Sequence, residues 1–236
     1  MSALSKVLTE DIDIATFKVK LGQGVRGLTA EPERHRKREL HVSDFTQSEK
    51  QFCYRKLVLR YFKGEDRTRG VSMVQLDGKW REDKWRRIFE SAGILKDYQE
   101  VLRVGMLVGH PDFLVDYGRG DTILELTGHD SKIDPILRQS RLAVKKRQCL
   151  TYLIMRVKMY PGSRRRALVV VENKGNNEFQ VYPVDYDEEK ATLLMKRVVR
   201  VQKLVTAMGK ATPERRTEIY RQIPRCGTKN CKVCYA

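Results

Sequence analysis

Two apolar, β-rich segments joined by a glycine turn and followed at once by a long helical run limit this chain to folds that layer strands against helices. The first segment is Gly109-His110-Pro111-Asp112-Phe113-Leu114-Val115-Asp116, the turn is Tyr117-Gly118-Arg119-Gly120-Asp121, and the return is Thr122-Ile123-Leu124-Glu125-Leu126-Thr127. A glycine-containing loop between two such runs predicts a β-hairpin. Paired strands lie about 5 Å apart, so Asp112 and Glu125 are expected to converge. Two hard carboxylates at one point suit Mg2+ or Mn2+. Ile133 to Tyr160 then reads as one helix, with Leu137, Leu142, Val144, Cys149, Ile154 and Val157 at roughly helical spacing. Along it, Lys145, Gln148 and Tyr152 follow at steps of three and four residues, which puts a cation, an amide and a phenol on one face.

The rest of the chain supplies further elements of both kinds. Thr46-Gln47-Ser48-Glu49 fits a capping box, which predicts a helix through Phe52, Cys53, Leu57, Leu59, Tyr61 and Phe62. A second helix is expected from Asp77 to Gly93, with Trp85, Ile88 and Phe89 as its apolar stripe, Trp80 nearby, and Lys79, Arg81, Glu82, Lys84, Arg86 and Arg87 on the other faces. Arg166 to Val171 is a buried strand by composition. Lys174-Gly175-Asn176-Asn177 is a turn, and Phe179 to Val184 is the returning strand. Asp187 to Met208 is an amphipathic helix with a basic face (Lys196, Arg197, Arg200, Lys203), and Pro213 to Gln222 is a short one. The fold class is α/β, with a mixed central sheet flanked by helices. Residues 1–40 are weakly patterned. Gly22-Gln23-Gly24-Val25-Arg26-Gly27 has the spacing of a dinucleotide loop but no preceding strand and no helix opening from it. Arg34-His35-Arg36-Lys37-Arg38 is a basic arm. One domain is expected over 41–236: a helical part to 105, a core carrying the site from 106 to 186, and C-terminal helices with a cysteine cluster beyond.

Charge narrows the chemistry. The 236 residues include 47 Lys and Arg against 30 Asp and Glu, a net charge of +17. An excess of that size points to a polyanion, most often nucleic acid. Joined to the carboxylate pair, it predicts metal-assisted cleavage of a phosphodiester. A hydrophobic content of 41% excludes disorder of the chain as a whole. No apolar run approaches the roughly 20 residues of a membrane span, and Met1-Ser2-Ala3-Leu4-Ser5-Lys6 lacks the apolar region of a signal peptide. A cytoplasmic protein without a membrane partner is expected.

Three of the five cysteines, Cys226, Cys231 and Cys234, fall within nine residues. In an intracellular protein this spacing reads as metal ligation rather than disulfides. A fourth thiolate comes from Cys53 or Cys149. Cys53, which opens a helix, is favoured, and Cys149 is read as core. Four thiolates hold either Zn2+ or an iron–sulfur cluster.

A cysteine in an N-terminal helix, a G-x-x-D…E hairpin, a helix with Gln148-x-x-x-Tyr152 and a terminal cysteine triplet, in that order, together resemble the RecB-type exonucleases of the PD-(D/E)XK nuclease superfamily. The likeness covers residues 41–236 and is greatest to the iron–sulfur branch, the CRISPR-adaptation exonucleases and their phage-encoded relatives. It implies a restriction-endonuclease-like sheet and a [4Fe-4S] cluster on Cys53, Cys226, Cys231 and Cys234. It also implies a Mg2+ or Mn2+ site on Asp112, Glu125 and the Leu126 carbonyl, with DNA contacts from Gln148 and Tyr152. Alignment on Gly78 and Trp85 puts the family's upstream metal-binding histidine at Glu82. The family's E-x-K is here Glu125-Leu126-Thr127, without the lysine. Lys145 on the Gln148/Tyr152 face is expected to supply the missing ammonium, with Lys132 as second candidate. Glu172-Asn173-Lys174 mimics E-x-K but runs straight into a turn, and is read as a decoy. The resulting expectation is a metal-dependent DNA exonuclease acting on single strands or duplex ends, within recombination, CRISPR or phage replication. Its alternatives are a nuclease fold that binds DNA without cutting it, and a zinc-ribbon regulator.

Overall fold

The computed structural model describes residues 19, 39–63, 73–116, 120–129, 135–162, 166–229 and 231–235. The glycine-rich segment 22–27, the basic arm 34–38, the hairpin turn at 117–119 and Lys132 lie outside them. The chain forms two compact units, residues 1–35 with 66–81, and residues 36–65 with 82–236. What is described of the smaller unit is chiefly helical, with an Asp77–Arg81 ion pair one turn apart at 2.7 Å.

The elements of the larger unit, in chain order, are β1 (Leu40–His41), α1 (Tyr54–Lys63), α2 (Met73–Ser91, of which 82–91 belong to this unit), β2 (Leu95–Tyr98), β3 (Leu102–Val104), β4 (Leu107–Gly109), β5 (Phe113–Asp116), β6 (Asp121–His129), α3 (Pro135–Met159), β7 (Ala167–Asn173), β8 (Phe179–Val184), α4 (Glu188–Lys210) and α5 (Pro213–Gln222). Five strands form a mixed sheet in the order β2-β5-β6-β7-β8, with β6 and β7 parallel and the other pairs antiparallel. A smaller sheet has the order β1-β4-β3.

Period-two alternation sorts the strand residues between two faces. Leu114, Ile123, Val169 and Val171 pack with Cys149, Leu153 and Met155 of α3 and with α1 and α4. Phe113, Val115, Leu124, Leu126 and Val170 pack with Trp85 and Phe89 of α2. The core thus lies in two layers, one on each side of β6, whose residues 122–126 are all buried. Pro183 is tolerated in β8 because β8 is an edge strand. Asp187 caps α4, its carboxylate accepting from the Lys190 N–H at 2.9 Å, and Thr212 caps α5, where Pro213 takes the first helical position.

Several expectations shift. Thr46 to Glu49 does not cap α1. The Thr46 hydroxyl turns back to the Ser43 carbonyl at 3.0 Å, and Ser48 donates to Gln51. Cys53 takes the cap position, with its sulfur accepting from the Lys56 N–H at 3.4 Å. Ile88 is 45% exposed and Trp80 59%, so among the described side chains of α2 the buried ones are Trp85 and Phe89. The stretch to residue 105 also carries β2 and β3 besides helices. Short amphiphilic segments such as Leu95-Lys96-Asp97-Tyr98 lack the apolar alternation that marks a strand and gain their register from β5.

Candidate active site

The β5–β6 register pairs Phe113 with Leu124, and the next step outward puts Asp112 against Glu125. Two backbone contacts hold them. The Asp112 N–H donates to Glu125 Oε1 at 3.3 Å, and the Leu126 N–H donates to Asp112 Oδ2 at 2.7 Å. Glu125 is fully buried, at 0% exposure, on the sheet face covered by α3. From that helix Lys145 reaches in, its Nζ 2.6 Å from Glu125 Oε2 and 3.8 Å from Asp112 Oδ2. Burial, and then the Asp112 charge, push the Glu125 carboxyl up to about 8, against the pull of Lys145. Burial opposes the Lys145 charge, but Glu125 and Asp112 outweigh it and hold the amine's pKa above its ordinary value.

Glu82, on α2, is the third carboxylate. Tyr98 Oη and Gln99 Nε2 donate to its Oε2 at 3.3 and 3.0 Å. Burial and the nearby Asp112 charge raise its pKa. Among the described residues the four thiols are the single group of three or more candidate ligand atoms all within 4.8 Å of one another, so the three carboxylates stand more openly. Their oxygen-only donor set fits a hard divalent cation, and Glu125 beside Asp112 is a like-charged pair whose ionised form needs one.

Gln148 and Tyr152 act on each other. The Gln148 amide donates to Tyr152 Oη at 2.8 Å, and that hydroxyl donates to the His110 carbonyl at 3.1 Å. Tyr152 is 2% exposed, and burial, with Glu125 adding to it, drives its phenol pKa far up. Its ring lies on Gly109. A Cβ there would stand 2.5 Å from Tyr152 Cε1 and 2.8 Å from Val42 Cγ2. The glycine of Gly109-His110-Pro111-Asp112 is therefore a packing requirement: it lets the helix phenol seat the strand that delivers Asp112.

Leu126 is buried against α2, Thr127 is half-buried one step on, paired with Val171, and Lys132 lies outside the described residues. Glu172 is buried and accepts from Trp85 Nε1 at 3.0 Å and from Lys84, which makes it a strut between β7 and α2. The basic faces are partly committed as well. Arg86 pairs with Asp83 and Glu90, and Arg87 with Asp83. On α4, Arg197 donates to the Gln47 carbonyl at 3.0 Å, and Arg200 lies 4.7 Å over the Tyr54 ring. Sequence reasoning missed Tyr98 and Gln99, whose contacts with Glu82 depend on tertiary structure and leave no local signal.

The second cluster joins the two ends of the unit. Cys53 Sγ stands 3.6 Å from Cys234 Sγ and 3.8 Å from Cys231 Sγ, and the Cys226 N–H points at Cys234 Sγ at 3.5 Å. Arg55 donates to the Ile223 carbonyl at 2.7 Å, and Thr228 Oγ1 donates to the Lys50 carbonyl at 3.0 Å, so the C-terminal segment is laid against α1 beside the thiols. Cys149 is buried elsewhere, its thiol directed at the Leu168 carbonyl. Tetrahedral zinc with Zn–S bonds of about 2.3 Å sets its thiolates about 3.8 Å apart, close to the two Cys53 distances, and all four sulfurs lie within 4.8 Å of one another. A four-iron cluster places each thiolate on its own iron and would require these thiols to turn outward.

No protein-family model matches the chain, and neither does any curated protein. Among solved structures, the alkaline exonuclease LHK-Exo from Laribacter hongkongensis is similar at 9% identity and TM-score 0.49, over 74% of this chain and 93% of that one. A phage-related exonuclease from Haemophilus somnus 129PT is similar at 12% identity and TM-score 0.49, over 70% and 92%. The protein SSO0001 is similar at 14% identity and TM-score 0.43, over 80% and 86%. Likenesses at this level say nothing of function.

Proposed function

We propose that this chain is a metal-dependent DNA exonuclease of the RecB-like kind its sequence resembles, hydrolysing phosphodiesters on single strands or at duplex ends. The observation that supports it most is the ammonium of Lys145 at 2.6 Å from Glu125 and 3.8 Å from Asp112. It restores from a helix the lysine that Thr127 removes from the strand. Asp112, Glu125 and Glu82, with the Leu126 carbonyl, would hold Mg2+ or Mn2+, which when bound acidifies a water and neutralises phosphate charge. Lys145 keeps its proton beside the two carboxylates and offers positive charge where negative charge builds during phosphoryl transfer. Tyr152 fixes the His110 carbonyl and hence the approach of Asp112. Gln148, half-buried on the same face, is the group left to meet the strand. The four thiols take one Zn2+ as they stand, a structural ion that pins the C-terminus to the start of α1.

End-labelled single-stranded DNA incubated with the protein and Mn2+ is the test, beside Asp112→Ala. Loss of full-length substrate that disappears in the variant is expected. Salt-sensitive binding with no cleavage by the wild-type protein would sink the nuclease reading in favour of a DNA-binding accessory protein.

A further inference from the structure

The end of β2 carries two irregularities beside the carboxylates. Its pairing with β5 slips between Leu95 and Asp97, a β-bulge. Bulges concentrate next to active sites, where they re-aim a side chain. Beyond the bulge the Tyr98 ring packs at 5.4 Å on Phe113 and is 37% exposed. Gln99 then adopts φ +56, the left-handed region that a residue with a Cβ enters only at a cost. In that conformation its N–H donates to the Asp112 carbonyl at 3.2 Å, while its side-chain amide donates to Glu82 at 3.0 Å and contacts Tyr98 Oη at 3.2 Å. One strained residue thus holds the backbone of Asp112 and the side chain of Glu82 together, and Tyr98 Oη adds a second donor to the same Glu82 oxygen at 3.3 Å. Neither residue is needed to close the sheet, since Tyr98 pairs with Phe113 through its backbone. A glycine at 99 would meet the turn without strain, so the strain points to what the side chain does.

We propose that Tyr98 and Gln99 are positioning residues that aim the Glu82 carboxylate toward Asp112 so that the two bind one divalent cation. This rests on the nuclease reading above. Groups that orient metal ligands typically change metal affinity by about 10–100-fold when removed. The same donors, absent from the α2 sequence itself, explain how a glutamate reaching from a helix on one face of the sheet serves a site whose other carboxylate lies on the opposite face.

The test is Mn2+ binding to the DNA-free protein, by calorimetry or by the free-ion spin-resonance signal, for the wild type, Gln99→Gly, Tyr98→Phe, Glu82→Gln and the Gln99→Gly/Glu82→Gln double variant. Cleavage is followed in parallel as kcat, KM for DNA and half-saturating Mn2+. Gln99→Gly relieves the backbone while deleting the amide. Its thermal midpoint is therefore expected to hold or rise while Mn2+ affinity falls about tenfold or more, KM for DNA stays put, and excess Mn2+ restores kcat. Tyr98→Phe should show a smaller shift of the same kind. The double variant should bind Mn2+ no worse than Glu82→Gln alone, because both act through one carboxylate. Wild-type Mn2+ affinity in Gln99→Gly, or a fully additive loss in the double variant, overturns the proposal while leaving an active nuclease. A wild-type protein that neither binds Mn2+ nor cuts DNA overturns the nuclease reading and this proposal with it.

Discussion

Lys145→Met removes the ammonium and keeps most of the stem. In the protein without metal, it leaves Glu125, at 0% exposure, beside Asp112 with no cation at 2.6 Å. Stripping one partner from a buried ion pair costs about 3–5 kcal/mol when the other stays charged. Glu125 has an escape, because its carboxyl is already pushed up to about 8 by burial and by Asp112, with Lys145 pulling it down. Without Lys145 it rises further and Glu125 is protonated at neutral pH. The sign follows from linkage: a carboxyl whose folded pKa lies above its unfolded value lends stability at low pH, and that stability is lost as pH rises through the folded pKa. In the wild type the loss is complete soon above pH 8. In the variant it continues, at about 1.4 kcal/mol per pH unit, until the higher pKa is passed. Urea unfolding in EDTA should therefore find the two proteins close at pH 6 and diverging from pH 8 to 9, the variant weaker. Mn2+ should reverse the order of benefit, stabilising Lys145→Met more than the wild type, since no ammonium competes for the carboxylates. Cleavage should fall by about 10²–10³, the usual loss on removing one preorganised charge. Wild-type cleavage by the variant, or stability curves that run parallel across pH, would refute the reasoning.

Two further expectations rest on single contacts. Gly109→Ala puts a methyl 2.5 Å from Tyr152 Cε1 and 2.8 Å from Val42 Cγ2, an overpacking of about 1–3 kcal/mol, measured as a lower urea midpoint. Gly109→Ala with Tyr152→Leu should recover part of it, and no recovery would mean that Val42 or the backbone sets the cost. Metal analysis of the purified protein should return one zinc per chain and no absorbance near 400 nm, and the zinc should be lost in Cys53→Ser along with protection of the C-terminus from proteolysis. A brown protein containing iron would show that the thiols spread to take a cluster.

Long, strongly patterned elements were readable before the structure: the β5–β6 and β7–β8 hairpins, α3, α4 and α5 all appear within a few residues of their expected bounds. Their signals are local, apolar alternation in the strands and helical periodicity with Asp187 and Pro213 as boundary residues. The start of α1 was not readable, because a thiol in the cap position competes with a better-looking Thr46-x-x-Glu49, and only the C-terminal cysteines 173 or more residues onward give Cys53 its place. The Ile88 misassignment has a related cause. Helical spacing offers it to the core, but Trp85 and Phe89 are the residues that meet Phe179 and Phe113, and Ile88 is left 45% exposed. The wall made by Tyr98 and Gln99 was invisible, since its residues are ordinary polar ones and a bulge and a positive φ give them their reach.

The placement of the lysine follows from the same alternation. In E-x-K the two residues lie two apart on one strand and so share a face, and in this chain that face of β6, with Glu125 and Thr127, is the one α3 covers. What the proposed chemistry requires is an ammonium over that face, and the strand is only one of two elements that border it. A helix crossing there at Lys145 can supply the charge if its register is fixed. Two contacts fix it: Tyr152 on the His110 carbonyl and the same ring on Gly109, with Gln148 of the same helix holding the phenol. Lys145 lies on the same helical face, two turns before Tyr152, so the packing that seats the phenol also sets where the ammonium arrives. A helix shifted by one residue would turn Lys145 away by about 100° and leave Glu125 buried without its countercharge. The Gly109–Tyr152 contact thus carries a consequence for charge placement as well as packing, and a strand threonine at 127 is compatible with an intact site for as long as that contact holds.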